Sequence, residues 1–225
     1  MVMCGRFGLH HSWQTTSHFL FDQFKVEFDE TKLSLPLYNI APTQRVLILI
    51  HDGSHYRVGL SSWGFSLSST NPKPVINARS ESVFETSLFR QAIRTKRCLI
   101  LASGFYEWQR SSTPSQPHWF YDQAKPFLVF AGLYQTIIHP NQEKIVQTAM
   151  LTTSANEVMA PIHDRIPVML NADQYQHWVH PKTPIDELKF LFKPTNHLGL
   201  SHYEVSTHVN KVANQDAQCL APIKK

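Results

Sequence analysis

Between residues 98 and 170 the chain is a succession of short β-type runs, at 98–102, 105–109, 119–121, 127–131, 145–152 and 166–170, with polar or turn-forming residues between them. No βαβ rhythm accompanies them. Many short strands joined by turns, with helices only at intervals, call for an α+β domain built on a mostly antiparallel sheet or barrel with flanking helices. The N-terminal half fits the same plan. Residues 46–50 form a dense β-branched and Leu run, Asp52-Gly53 is a hairpin turn signal, and 56–60 reads as the returning strand. Ser12 is an N-cap for a helix over 13–28 carrying Trp13, Phe19, Leu20, Phe24 and Phe28. Ser80 opens a second helix with Phe84, Leu88, Phe89, Ala92 and Ile93 on one side. Ser154 caps a short helix at 155–159, further helices lie at 172–179 and 184–192, and 203–207 is a late strand. With no internal repeat and no low-complexity linker, residues 1–225 read as a single domain.

Composition narrows the function classes. The chain is 42% hydrophobic and 17% charged, which excludes a disordered polymer. No apolar run approaches the roughly 18–20 residues that span a bilayer, so no membrane partner is expected. The N-terminus lacks the basic and apolar segments of a secretory signal. Three widely spaced cysteines, Cys4, Cys98 and Cys219, have neither metal-finger spacing nor the makings of a disulfide framework. A reducing compartment is expected, the cytoplasm, with nucleoid association in a bacterium. The formal net charge of +4 permits an anionic partner such as nucleic acid without demanding one.

Four segments carry chemistry. In Met3-Cys4-Gly5-Arg6-Phe7 a single peptide bond decides what Cys4 can do. Inside the chain it is an ordinary thiol. Freed at its amine it becomes a 1,2-aminothiol, whose α-amine has a pKa near ~7.8 against ~10.4 for Lys and is nucleophilic at neutral pH. Such a group condenses with an aldehyde to an imine, and the thiol then closes a five-membered thiazolidine. Arg6 can fork onto phosphate or carboxylate. In Ile76-Asn77-Ala78-Arg79 the Asn offers a donor and an acceptor, and Arg79 a permanent charge. In Gly104-Phe105-Tyr106-Glu107-Trp108 strand alternation places Glu107 on the face of Phe105, where desolvation favours acid–base work. Pro161-Ile162-His163-Asp164-Arg165-Ile166-Pro167 presents an imidazole between two prolines. Each segment by itself also reads as ordinary structure: a buried Cys, a turn Asn, a solvated Glu. No His-x-x-x-His pair with supporting acids points to a metal, and no cofactor motif is present.

Taken together, these segments resemble the SOS response-associated peptidase (SRAP) family, the abasic-site processing proteins. The likeness runs through nearly the whole chain: Met-Cys-Gly-Arg-Phe at 3–7, Tyr-Asn-Ile-Ala-Pro-Thr-Gln at 38–44, Trp63-Gly64, Ile-Asn-Ala-Arg-Ser-Glu at 76–81, Arg-Cys-Leu-Ile at 97–100, Gly-Phe-Tyr-Glu-Trp at 104–108, Ile-His-Asp-Arg-Ile-Pro-Val at 162–168 and Val-Asn at 209–210. The resemblance implies binding of single-stranded DNA and capture of an abasic-site aldehyde as a thiazolidine. It makes Cys4 the nucleophile, Asn77 the group that orients its amine, Glu107 the proton donor and acceptor, and His163 the partner acid–base. It places Arg6, Asn39, Arg79 and Arg165 near the DNA backbone, with Pro42 and Trp63 lining the nucleotide channel. It implies no cofactor, and a monomer.

The chain departs from the family in three places. Met1-Val2-Met3 stands where one Met is usual; trimming Met1 alone leaves Cys4 capped, so either Met3 is the start or the bond before Cys4 is cut, and the mature form is expected to start at Cys4. Residues 65–70 lack the Pro and Trp residues that often follow the Trp-Gly pair. Ala102-Ser103-Gly104 replaces the usual Ala-Asp-Gly. Two other function classes stay open: a cysteine peptidase using Cys4, His163 and Glu107, whose first substrate would be its own Met3-Cys4 bond, and a non-catalytic single-stranded DNA-binding module.

Overall fold

A computed structural model describes residues 4–66, 74–109, 113–138, 141–193 and 199–223. Numbered in chain order, one sheet holds β1 (Arg6–Leu9), β2 (Leu37–Ile40), β7 (Gly104–Gln109), β8 (Gln116–Asp122) and β12 (Leu200–Glu204). It is antiparallel throughout, in the order β12-β8-β7-β1-β2. The second sheet closes on itself. Strands β4 (Tyr56–Trp63), β3 (Arg45–His51), β6 (Arg97–Ala102), β9 (Leu128–Ile138) and β10 (Lys144–Ser154) follow one another as antiparallel neighbours, and β10 returns to β4. That closing seam is parallel and short, pairing Gln147 with Ser62 and Thr148 with Trp63. Beyond it β10 continues, taking β5 (Asn77–Arg79) in parallel and β11 (Arg165–Pro167) antiparallel. The expected α+β class with a mostly antiparallel sheet and barrel is the observed one.

The strands follow from their residues. All six positions of β6 are buried, because one face fills the barrel and the other lies under helix α3 (Ala172–Val179). Arg97 opens β6 at 2% exposure, and four carbonyl oxygens, of Ile93, Arg94, Trp178 and His180, take its guanidinium protons. A buried charge is tolerable only when so fully solvated by protein dipoles. The alternation read in β7 holds: Phe105 stacks on Phe120 in the main core at 5.0 Å, while Tyr106 joins Trp119, Val205, Val209 and Cys219 in a small second core on the other face. Gly104, the first residue of β7, has no room for a side chain, since a Cβ would overlap Trp119 Cζ2 and the Phe120 carbonyl. Gly104→Ala is expected to destabilise the protein by about 1–3 kcal/mol in urea unfolding.

The β3–β4 hairpin forms where Asp52-Gly53 predicts it. The Asp52 carboxylate accepts the Ser54 and His55 N–H groups, and Gly53 sits at φ +104°. Helices 172–179 and 184–192 are present as α3 and α4 (Ile185–Phe190). Four local expectations are corrected. The first helix, α1 (Trp13–Phe24), is capped by Ser12 but stops where Lys25 turns left-handed at φ +54°, which folds Phe28 back against Trp13 at 5.9 Å. After Ser80 the backbone mixes i−3 and i−4 hydrogen bonds, in turns that become helical only at α2 (Ala92–Thr95). At 155–159 there is a turn, not a helix, in which the Asn156 side chain accepts from Met159 N–H. The late strand is 200–204, earlier than read, because its pairing with β8 ends at Glu204–His118. None of the helices among the described residues is long and apolar enough to cross a membrane.

Candidate functional site

Three of the predicted side chains meet where β1 enters the sheet beside β7. The Cys4 N–H donates to Glu107 Oε2 at 3.0 Å, across 103 positions of sequence. The other carboxylate oxygen of Glu107 lies 3.6 Å from His163 Nε2. Cys4, Glu107 and His163 are 1%, 3% and 4% exposed, so the cluster is sealed from bulk water. Burial pushes the Cys4 thiol well above its usual range, and the negative charge and hydrogen bonding of Glu107 push it the same way; Arg165 opposes them. The thiol is therefore held protonated at neutral pH. Cys4 itself sits at φ +42°, in the left-handed region that a non-glycine residue adopts at a cost of order 1–3 kcal/mol. That torsion includes the Met3–Cys4 bond, so cutting the bond releases the strain.

His163 is fixed from behind. The segment 156–163 is wound into turns, with His163 N–H donating to the Met159 carbonyl, and Nδ1 accepts from the Arg165 N–H at 3.0 Å. With Nδ1 as acceptor, a neutral ring carries its proton on Nε2, toward Glu107. The Asp164 carboxylate, itself exposed, also lies 3.0 Å from Nδ1. Asn77 begins β5 opposite Met150, half-buried.

The residues expected near DNA divide into two groups. Arg79 at the end of β5 is exposed, and Pro42, in the turn between β2 and β3, is half-exposed. The others are engaged within the protein. Arg6 donates to Asn39 Oδ1 and to the carbonyls of Val209 and Asn210, and lies over the Trp108 ring at 5.9 Å. Asn39 is fully buried, its Nδ2 in reach of the carbonyls of Val209, Lys211 and Asn214. Arg165 forks onto Glu81 with both terminal nitrogens and donates to the Thr152 carbonyl. Trp63 is wholly buried, edge-on to Phe7 at 4.9 Å, with Nε1–H on the Ile76 carbonyl. Asn39→Ala would remove the donor that ties the carbonyls of Val209, Lys211 and Asn214 together and one acceptor of Arg6, an expected loss of about 1–3 kcal/mol, visible as lower urea stability and faster proteolysis after residue 205.

Reading the sequence for chemistry passed over three residues that hold the site. Glu81 clamps Arg165, Asn210 accepts from Trp108 Nε1–H at 2.8 Å, and Gln215 braces the Asn39 backbone in both directions. Glu81 and Asn210 fall inside the quoted motifs, so the signal was present although their partners were not. Residues 1–3, on which the expected start at Cys4 turns, lie outside the described residues, as does the stretch from Leu67.

A family model described as SOS response associated peptidase (SRAP) matches residues 3–212. The chain is 35% identical to the abasic site processing protein YoaM of Bacillus subtilis (strain 168), covering 97% of both chains. It is 24% identical to the abasic site processing protein YedK of Escherichia coli (strain K12), over 98% of this chain and all of that one. Among solved structures, a protein from Bacteroides thetaiotaomicron superposes with a TM-score of 0.76 at 22% identity, covering 84% of this chain and 86% of the other, a likeness of fold.

Proposed function

The chain belongs to the SOS response-associated peptidase family, and from that premise we propose that it processes abasic sites in DNA by capturing the lesion's aldehyde on Cys4. The observation that carries this reading is the contact between Cys4 N and the buried Glu107 carboxylate, with His163 on the carboxylate's far oxygen. A carboxylate that already touches the reacting nitrogen needs no rearrangement to move its protons.

The Met3–Cys4 bond is cut first. Water adds to the Met3 carbonyl, the C–N bond breaks, residues 1–3 leave as a carboxylic acid, and Glu107 delivers the proton that Cys4 nitrogen requires. The freed amine, with a pKa near ~7.8, gives a proton back to Glu107 and adds to C1′ of the ring-opened deoxyribose. The carbinolamine loses its hydroxyl as water, protonated by Glu107, leaving an imine. The thiol then adds to C1′ and its proton goes to the imine nitrogen. Aldehyde and aminothiol have become thiazolidine and water. His163, through Nε2, resupplies Glu107 and serves the reverse sequence. Asn77 orients the amine.

Arg79 and Pro42 face the strand, and the outer nitrogen of Arg6 reaches it. Asn39, Trp63 and Arg165 shape the channel from behind, through the bonds already described. The substrate is single-stranded DNA, engaged by one copy of the protein without a cofactor. A dedicated cysteine peptidase is the weaker reading, because its nucleophile is a thiolate whereas the Cys4 thiol is buried beside a carboxylate that keeps it protonated. The test is incubation of the processed protein with a single-stranded oligonucleotide carrying one abasic site. An SDS-resistant adduct is expected, absent with undamaged DNA. A protein shown to begin at Cys4 that forms none would overturn the proposal.

A further inference from the structure

Without any metal-binding spacing in the sequence, the fold gathers three metal-ligating side chains at its C-terminal end. His208 lies in the 3-10 turn Thr207–Asn210, Cys219 in the turn Ala217–Leu220, and Asp216 is the N-cap of that second turn. One ligand atom from each lies within 4.8 Å of the other two. His208 Nε2 and Asp216 Oδ2 are 3.1 Å apart. In a tetrahedral site with bonds of about 2.0–2.3 Å, neighbouring ligands stand about 3.3–3.8 Å apart. The imidazole–carboxylate edge is therefore already close to that of a coordinated pair, and the sulfur need approach by no more than about 1 Å.

We propose that His208, Asp216 and Cys219 bind a divalent transition-metal ion of borderline softness, with zinc the best fit, and a water in the fourth position. Thiolate, imidazole and carboxylate together suit zinc, whereas magnesium and calcium take oxygen ligands. Burial raises the Cys219 thiol above its ordinary range, and the nearby charge of Arg6 offsets this only in part. Binding replaces the thiol proton by the metal and releases that proton to solvent, so affinity rises with pH. The ring then carries its own proton on Nδ1, which faces the Asn214 side-chain amide at 3.2 Å. The same amide nitrogen donates to the His208 carbonyl at 2.6 Å, a bond that is given up if the amide turns its oxygen toward the Nδ1 proton.

The metal would cross-link the two turns of the segment that Asn39 and Arg6 grip through Val209 and Asn210. It would thereby brace Asn210 under Trp108 at the edge of the site. The inference stands on these contacts alone and does not depend on the chemistry of Cys4.

Chelator-treated full-length protein, titrated with zinc by calorimetry and with cobalt(II) by absorption, tests it. One equivalent of metal is expected at micromolar concentration, with a thiolate-to-cobalt charge-transfer band that survives Cys4→Ala. Cys219→Ser should abolish the band, and Asp216→Asn, a change at an exposed side chain, should weaken binding at least tenfold while leaving the circular dichroism unchanged. Absence of stoichiometric binding in the wild type would overturn the proposal. So would a band that persists in Cys219→Ser, a band that disappears in Cys4→Ala, or undiminished affinity in Asp216→Asn, which decides the matter should Cys219→Ser fail to fold.

Discussion

Cys4→Ala, produced with residue 4 directly after a removable initiator Met, should form no SDS-resistant adduct with abasic single-stranded DNA. The variant keeps an α-amine of the same basicity in the same place, beside Glu107, so it can still condense with the aldehyde. What it loses is the sulfur that converts a hydrolysable imine into a ring. Borohydride should therefore trap an adduct on the Ala variant that gel electrophoresis without reductant does not show. Cys4→Ser separates the roles again, since its hydroxyl closes a weaker ring and should give an adduct that does not survive heating. The fold should persist, because the change removes one buried sulfur and leaves the Cys4 N–H bond to Glu107 intact. An unreduced Ala adduct as abundant as the wild type's would move the chemistry to another nucleophile.

Glu107→Gln should slow adduct formation by about 10²–10⁴-fold in single-turnover kinetics. The amide has the shape of the carboxylate and can still accept from Cys4 N–H, so the geometry at 3.0 Å is preserved. It cannot take the proton of the ammonium or give one to the departing hydroxyl. The wild-type rate should fall about tenfold per pH unit below the amine pKa of ~7.8, because only the unprotonated amine attacks. The Gln variant should remain slow at high pH, where amine deprotonation no longer limits. A rate within threefold of wild type would remove Glu107 from the chemistry and leave it a structural hydrogen-bond acceptor.

Local features of the fold were legible in the sequence and closures were not. The β3–β4 hairpin needs only Asp52, Gly53 and two apolar runs within a dozen residues, and α3 needs only its own periodicity and the Asn171 capping box. The parallel seam of β10 on β4 joins Gln147 to Ser62, and nothing in either strand names the other. The helix read after Ser80 fails for a related reason: apolar residues at helical spacing are equally served by a string of turns when tertiary packing takes their side chains, as it takes Val83, Phe89 and Ile93. At the site, the family motifs named residues that the fold brings together. Cys4, Glu107 and His163 do converge. The resemblance placed Arg6, Asn39 and Arg165 near the DNA backbone, and a charged or amide side chain carries no mark of its partner within the protein. Their partners are largely backbone carbonyls, in one case 203 residues away, and a carbonyl has no signature in sequence.

The central claim is that the working form begins at Cys4 and is joined to the lesion through both its amine and its sulfur. Intact-mass and peptide-level mass spectrometry of the protein, before and after reaction with abasic single-stranded DNA, tests it most directly. The account predicts a protein that starts at Cys4, and an N-terminal peptide gaining the mass of the DNA-derived aldehyde less one water, with the Cys4 thiol no longer open to alkylation. A reactive protein that retains Met3, or an adduct mapped to a lysine with the Cys4 thiol still alkylatable, would contradict it.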